Sequence, residues 1–111
     1  MEYKRGEIYL ADLGANNTGS EQSGTRPVLI VQNNIGNRYS PTVIVACITS
    51  KIYRNEIPTH VKINCLEVPS LILCEQIKTI DKSRLKNKLA DLDFNDQAQV
   101  NSALQLSLAL Q

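Results

Sequence analysis

Short runs of aliphatic and β-branched residues, each interrupted by polar or turn-forming residues before reaching helix length, set the limits on how this chain folds. Val28-Leu29-Ile30-Val31 begins just after Pro27, a residue tolerated at the opening of a strand but not inside a central one, and ends at Gln32. Val43-Ile44-Val45-Ala46-Cys47-Ile48 is a second buried run, stopped by Thr49-Ser50. Leu71-Ile72-Leu73-Cys74 is a third and leads into Glu75-Gln76-Ile77-Lys78-Thr79. Two further stretches, Glu7 to Leu13 and Thr59 to Ile63, alternate as half-exposed strands do.

The segments between them are polar. Gly14 to Thr25 holds nothing apolar larger than Ala15 and is expected to be a loop of functional length. Asn33-Asn34-Ile35-Gly36-Asn37 is expected to be a turn. Asp81 is a credible N-cap for a short helix that would place Leu85 and Leu89 one turn apart toward the core, with Lys82, Arg84, Lys86 and Lys88 on a solvated face. From Asp96 to Gln111 the leucines alternate, yet Val100 is the single β-branched residue and Ala, Gln and Leu dominate, which favours a helix. Such a helix turns Val100, Leu104 and Leu108 one way and Ala103, Leu106 and Leu110 nearly the opposite way, so it calls for burial on two sides, one of them against a second copy of the chain. The expected architecture is α+β: one domain over residues 1–111, a small antiparallel barrel or curled sheet with helix at its end.

Composition excludes several classes. At 42% hydrophobic and 21% charged, 111 residues suit one soluble globular domain. No run approaches the ~20 apolar residues of a membrane span, and Met1 to Gly6 lacks the apolar stretch of a secretory signal, so a cytoplasmic location without membrane binding is expected. Cys47, Cys65 and Cys74 are odd in number and widely spaced, which suits buried thiols better than a disulfide frame. His60, the lone histidine, has no His or Cys at ligand spacing; it reads as a strand residue, with no metal or cofactor expected. Residues 1 to 88 are mildly basic, because the remainder carries Asp91, Asp93 and Asp96 and no Lys or Arg. That balance permits phosphate contact without requiring it.

Three apolar strands end in polar clusters: Arg26 opens one, Thr49-Ser50 closes the next, and Glu75-Gln76 follows the last. Gathered on one rim, they could cleave RNA through its own 2′-hydroxyl. That reaction needs a proton acceptor, stabilisation of the phosphorane charge, and a proton for the leaving 5′-oxygen. Arg26 offers a planar fork of donors and Thr49 a stiff hydroxyl. Glu75 or a backbone group is open as the acceptor, since an arginine is a poor base. Each residue also has a plainer reading: Arg26 as a surface ion-pair partner, Thr49-Ser50 as a strand terminator, Glu75-Gln76 as a solvated edge.

The chain resembles the MazF/PemK toxins, of the Bacillus-like type, over nearly its whole length and in order. The resemblance rests on Lys4-Arg5-Gly6-Glu7-Ile8-Tyr9 with Ala11-Asp12-Leu13, Gly19-Ser20-Glu21-Gln22, Arg26 to Asn33, Gly36 to Thr42, Ile48-Thr49-Ser50, Pro58 to Val61, Glu75 to Asp81 and Ala103 to Leu108. It implies an SH3-like barrel with a C-terminal helix, a homodimer, and a metal-independent endoribonuclease (an mRNA interferase) that cuts single-stranded mRNA at UACAU-like words. The products implied are a 2′,3′-cyclic phosphate and a 5′-hydroxyl. Arg26 and Thr49 match the catalytic pair. Ser20, Glu21, Gln22, Asn33, Asn34, Ser50, Glu75, Gln76 and Thr79 match positions that line the RNA groove. A cognate MazE-like antitoxin with a disordered acidic tail is implied as partner. Ser23 in place of a usual glycine, the altered Gly14–Thr18 approach and a short Asn64–Ser70 stretch depart from the pattern. Two other readings compete: a CcdB-like gyrase-inhibiting toxin on a similar barrel, disfavoured by an ending without Trp, and a non-catalytic RNA-binding module.

Overall fold

Alternation along Glu7–Asp12 turns Ile8 to one side and Tyr9 and Ala11 to the other, and both sides are covered. That two-sided burial shapes the whole molecule. The computed structural model describes residues 2–15, 19, 22–52 and 57–110. Its strands are β1 (Glu7–Asp12), β2 (Thr25–Ile30), β3 (Thr42–Thr49), β4 (His60–Ile63), β5 (Ser70–Asp81) and β6 (Leu85–Asp91); its helices are α1 (Asn34–Tyr39) and α2 (Phe94–Ser107). The strands form one antiparallel sheet in the order β4-β5-β3-β2-β1-β6. The sheet is barrel-like but not closed, with β4 and β6 as its edges.

One face carries Ile8, Leu29, Ala46, Ile48, Val61 and Ile72, over which α2 lays Val100 and Ala103 together, not on opposite sides as expected, while Leu108 lies past the helix end and is exposed. The other face carries Tyr9, Val28, Val43, Val45, Cys47 and Ile80, with Tyr3 closing it from below. Tyr3 meets Tyr9 edge to face, ring centroids 5.1 Å apart. Such burial supplies the main stabilising term of the fold. Gly6 joins the two ends of the chain: its N–H donates to Ile30 O and its carbonyl accepts from Leu92 N, each at 2.9 Å.

Strand β5 carries a bulge. The ladder pairs Ala46 with Ile77 and then Cys47 with Leu73, so Cys74, Glu75 and Gln76 have no partner on β3 and the strand bends there. The bulge falls on the polar pair singled out in the sequence.

Four expectations about local structure are corrected. Strand β2 opens at Thr25, so Pro27 sits inside a central strand, opposite Leu10, and not at its start. Residues 33–37 are not a turn: Asn33 caps α1, its side chain accepting from Gly36 N at 2.8 Å, and Asn37 is buried beneath the helix. Asp81 caps only a single 3₁₀ turn, Lys82–Arg84, after which the chain becomes β6 rather than a helix. Leu85 is buried, but Leu89 remains 39% exposed, because pairing with β1 turns it out of the core. Finally, Cys47 and Cys74 are buried thiols as expected, whereas Cys65 is exposed on the connection from β4 to β5.

Candidate active site

Neighbouring strands β2 and β3 pair Val28 with Cys47 at the end of their ladder, and Arg26 and Thr49 each lie two residues beyond that pair, at the same end of the two strands. Alternation then gives both residues the face that carries Val28 and Cys47. Arg26 is half-buried, and its Nε donates to Ser23 O at 3.0 Å, which leaves the terminal guanidinium nitrogens for other partners. Thr49, only 7% exposed, closes β3, and its Oγ1 accepts from Lys51 N at 3.2 Å.

The Cys47 thiol reports what surrounds it. Burial pushes its pKa up, while the charges of Lys78 and Arg26 pull down and that of Glu75 pushes up. Two cations and a carboxylate are therefore within electrostatic reach of one sulfur beside Thr49. The Cys74 thiol, on the opposite face, is raised to about 11 by burial and then by Glu75, and remains an inert thiol at neutral pH.

Glu75 is held by two neighbours. Thr59 Oγ1 donates to its Oε1 at 2.9 Å, and His60 Nε2 lies 2.8 Å from its Oε2. Burial raises its pKa, but hydrogen bonds from His60, from its own backbone N–H and from Thr59, with the charge of His60, outweigh that and hold the carboxyl below its ordinary value. A carboxylate so stabilised is a weak base, which counts against Glu75 as the proton acceptor.

Gln22 and Gln76 are also brought here. Gln22 N donates to Gln76 Oε1 at 3.1 Å, and Gln22 O accepts from Lys78 Nζ at 3.1 Å. The segment before β2 thus reaches across β3 to β5. Lys78 was not singled out by the sequence reading; its position within an apolar-to-polar strand gave the only signal. Ser50 is exposed and lines, with Thr25, Arg26, Ile48, Ser70 and Leu89, a cleft of ≈ 380 Å³ beside β2 and β3.

The remaining predicted positions lie elsewhere or are not described. Asn33 and Asn34 follow the far end of β2, and their side chains serve the fold: Asn33 caps α1, and Asn34 Oδ1 accepts from Arg5 N at 2.7 Å and Asn37 Nδ2 at 3.1 Å. Within this chain they do not join Arg26. Thr79 pairs with Ile44 and, by alternation, turns away from the face shared by Lys78 and Ile80. Ser20 and Glu21 lie outside the described residues. Among the described residues no group of three or more His, Cys, Asp or Glu could hold a metal ion.

Residues 4–108 match the family model described as PemK-like, MazF-like toxin of type II toxin-antitoxin system. The chain belongs to the PemK/MazF toxin family. It is 54% identical to Endoribonuclease EndoA of Bacillus subtilis (strain 168), the match covering 99% of this chain and 97% of that protein. It is 53% identical to Endoribonuclease MazF of Staphylococcus saprophyticus subsp. saprophyticus, over 96% of this chain and 92% of that one. Among solved structures it is similar to a mycobacterial endoribonuclease in complex with its cognate antitoxin, with a TM-score of 0.83 at 29% identity over 98% of this chain and 97% of that one. MazF of Deinococcus radiodurans shares the fold, with a TM-score of 0.82 at 22% identity over 98% of each chain. The PemK/MazF match spans both strands that carry Arg26 and Thr49.

Proposed function

We propose that Arg26 and Thr49 cut single-stranded mRNA by 2′-hydroxyl attack without a metal, leaving a 2′,3′-cyclic phosphate and a 5′-hydroxyl. That the chain is an endoribonuclease toxin of a type II toxin-antitoxin system follows from its family and from relatives 54% and 53% identical along its length. The assignment of the pair is supported by the β2/β3 ladder, since both residues lie two positions beyond its Val28–Cys47 pair on central strands. Arg26 would bind the non-bridging phosphate oxygens, and Thr49 would donate its hydroxyl to the same developing charge. Ser50 is proposed to contact RNA along the cleft it lines with Arg26, and Gln22 to contact RNA from the segment before β2.

The reading extends to partners. They are a second copy of the chain and a cognate MazE-like antitoxin, in the cytoplasm; the antitoxin complex of the similar mycobacterial structure supports the antitoxin, and the apolar residues α2 leaves exposed, Phe94 at 87% and Leu106 at 60%, support the homodimer. No helix among the described residues is long and apolar enough to cross a membrane. In EDTA, Arg26→Ala and Thr49→Ala are each expected to reduce cleavage of a long single-stranded RNA by on the order of 100-fold or more while the circular dichroism spectrum is kept. Full activity of either variant would reject the assignment. Products lacking a 5′-hydroxyl, tested by direct phosphorylation with a polynucleotide kinase, would reject the mechanism.

A further inference from the structure

Three hydrogen bonds form a continuous relay from β5 to the Arg26 guanidinium, and they do so through backbone. Gln76 Oε1 accepts from Gln22 N at 3.1 Å, Lys78 Nζ donates to Gln22 O at 3.1 Å, and the next carbonyl, Ser23 O, accepts from Arg26 Nε at 3.0 Å. Strand β5 is not beside β2; β3 lies between them. The Gln22–Ser23 segment is therefore a strap across β3, anchored on its far side by two side chains.

We infer that Lys78 and Gln76 are positioning residues for Arg26, acting through the Gln22–Ser23 backbone to fix the plane of the guanidinium. An arginine side chain has many rotamers, and an unheld one gives up much of its value as a phosphate fork. Holding Nε fixes the guanidinium plane while leaving the terminal nitrogens to make two parallel bonds to a phosphate. Both anchors follow from the β5 bulge: Gln76 lies within it and Lys78 just beyond, on the face of Ile80 and Cys47. The anchors differ in kind. Gln76 Oε1 gives the strap a neutral acceptor, whereas Lys78 brings a charge-assisted bond, so Lys78 carries more of the hold.

This inference rests on Arg26 acting at the phosphate, but it can be tested without RNA. In the free protein, the Arg26 Nε–H resonance, assigned by its loss in Arg26→Lys, is expected to shift and exchange faster with solvent in Lys78→Met and in Gln76→Ala, and to recover in Lys78→Arg, which keeps a cationic donor. With RNA, Lys78→Met is expected to lower kcat on the order of 10-fold to 100-fold with KM little changed, and Lys78→Arg to restore most of it. An Nε–H signal unchanged in both Lys78→Met and Gln76→Ala would overturn the relay. So would a rise in KM with a smaller salt dependence and unchanged kcat, which would make Lys78 a direct phosphate contact. Should Lys78→Met not fold, Gln76→Ala and Lys78→Arg carry the same comparison. If the protein cut no RNA at all, the resonance would still report on the strap, so the two readings fail separately.

Discussion

Across the β4/β5 pair, His60 Nε2 stands 2.8 Å from Glu75 Oε2. Glu75 titrates below its ordinary value despite partial burial, because His60, its own N–H and Thr59 stabilise the carboxylate. A folded pKa below the unfolded one means the stabilisation is fully present above the unfolded value, about 4.3, and is lost as pH falls through the lower folded value. Glu75→Gln is therefore expected to be less stable than the parent at pH 7, with the gap closing below about pH 4. Solvent screening at this partly exposed site keeps the difference to about 1 kcal/mol or less. Urea unfolding between pH 3 and 7 reads it; a gap that widens on acidification would contradict the assignment.

Gln32 and Asn37 form a buried polar pair under α1. Gln32 Nε2 donates to Asn37 Oδ1 at 3.2 Å and to Thr42 O at 3.1 Å, and Asn37 Nδ2 donates to Gln32 O at 2.9 Å. Asn37→Ala leaves the Gln32 carbonyl without that donor in a buried site, at a cost of about 1–3 kcal/mol. Equal denaturant midpoints for the two proteins would show that water replaces the missing amide.

Asp93 caps α2, its Oδ1 accepting from Asp96 N at 2.7 Å. Asp93→Ala is expected to cost about 1 kcal/mol and Asp93→Ser much less, read from thermal or urea unfolding. Identical losses for the two substitutions would point to charge rather than capping.

Gly6 has φ +94, and a Cβ there would come within 2.9 Å of Gln97 Cδ. Gly6→Ala is expected to destabilise the fold by about 1–2 kcal/mol from backbone conformation alone, with the Gln97 contact in addition. Gln97→Ala in the same chain should recover only the steric part. Complete recovery would mean that the left-handed backbone costs nothing here.

Much of this fold is readable in sequence where burial is two-sided. Val28–Ile30 and Val43–Ile48 form central strands because apolar residues at consecutive positions satisfy both faces of a covered sheet, and α2 forms where Ala, Gln and Leu accumulate behind a cap. The segment after Asp81 misleads because Leu85 and Leu89, four apart, fit a helix face and one side of a strand equally well. Its partner, β1, is more than seventy residues earlier, a pairing that local pattern does not contain. Helix α1 was hidden by turn-forming residues put to structural use, Asn33 as cap and Asn37 as buried amide. Of the proposed site, Arg26 and Thr49 are legible as polar ends of apolar runs. The strap was not, because it depends on backbone atoms of Gln22 and Ser23, which no residue type announces.

β3 is hydrogen-bonded on both sides, to β2 and to β5, whereas the edges of the sheet are elsewhere. Residues at the end of such a strand inherit their spacing from the ladder and not from the connections around it. On the proposed assignment, sequence change in the surrounding loops can leave the relative placement of Arg26 and Thr49 unaltered, because both sit at ladder ends that those loops do not set.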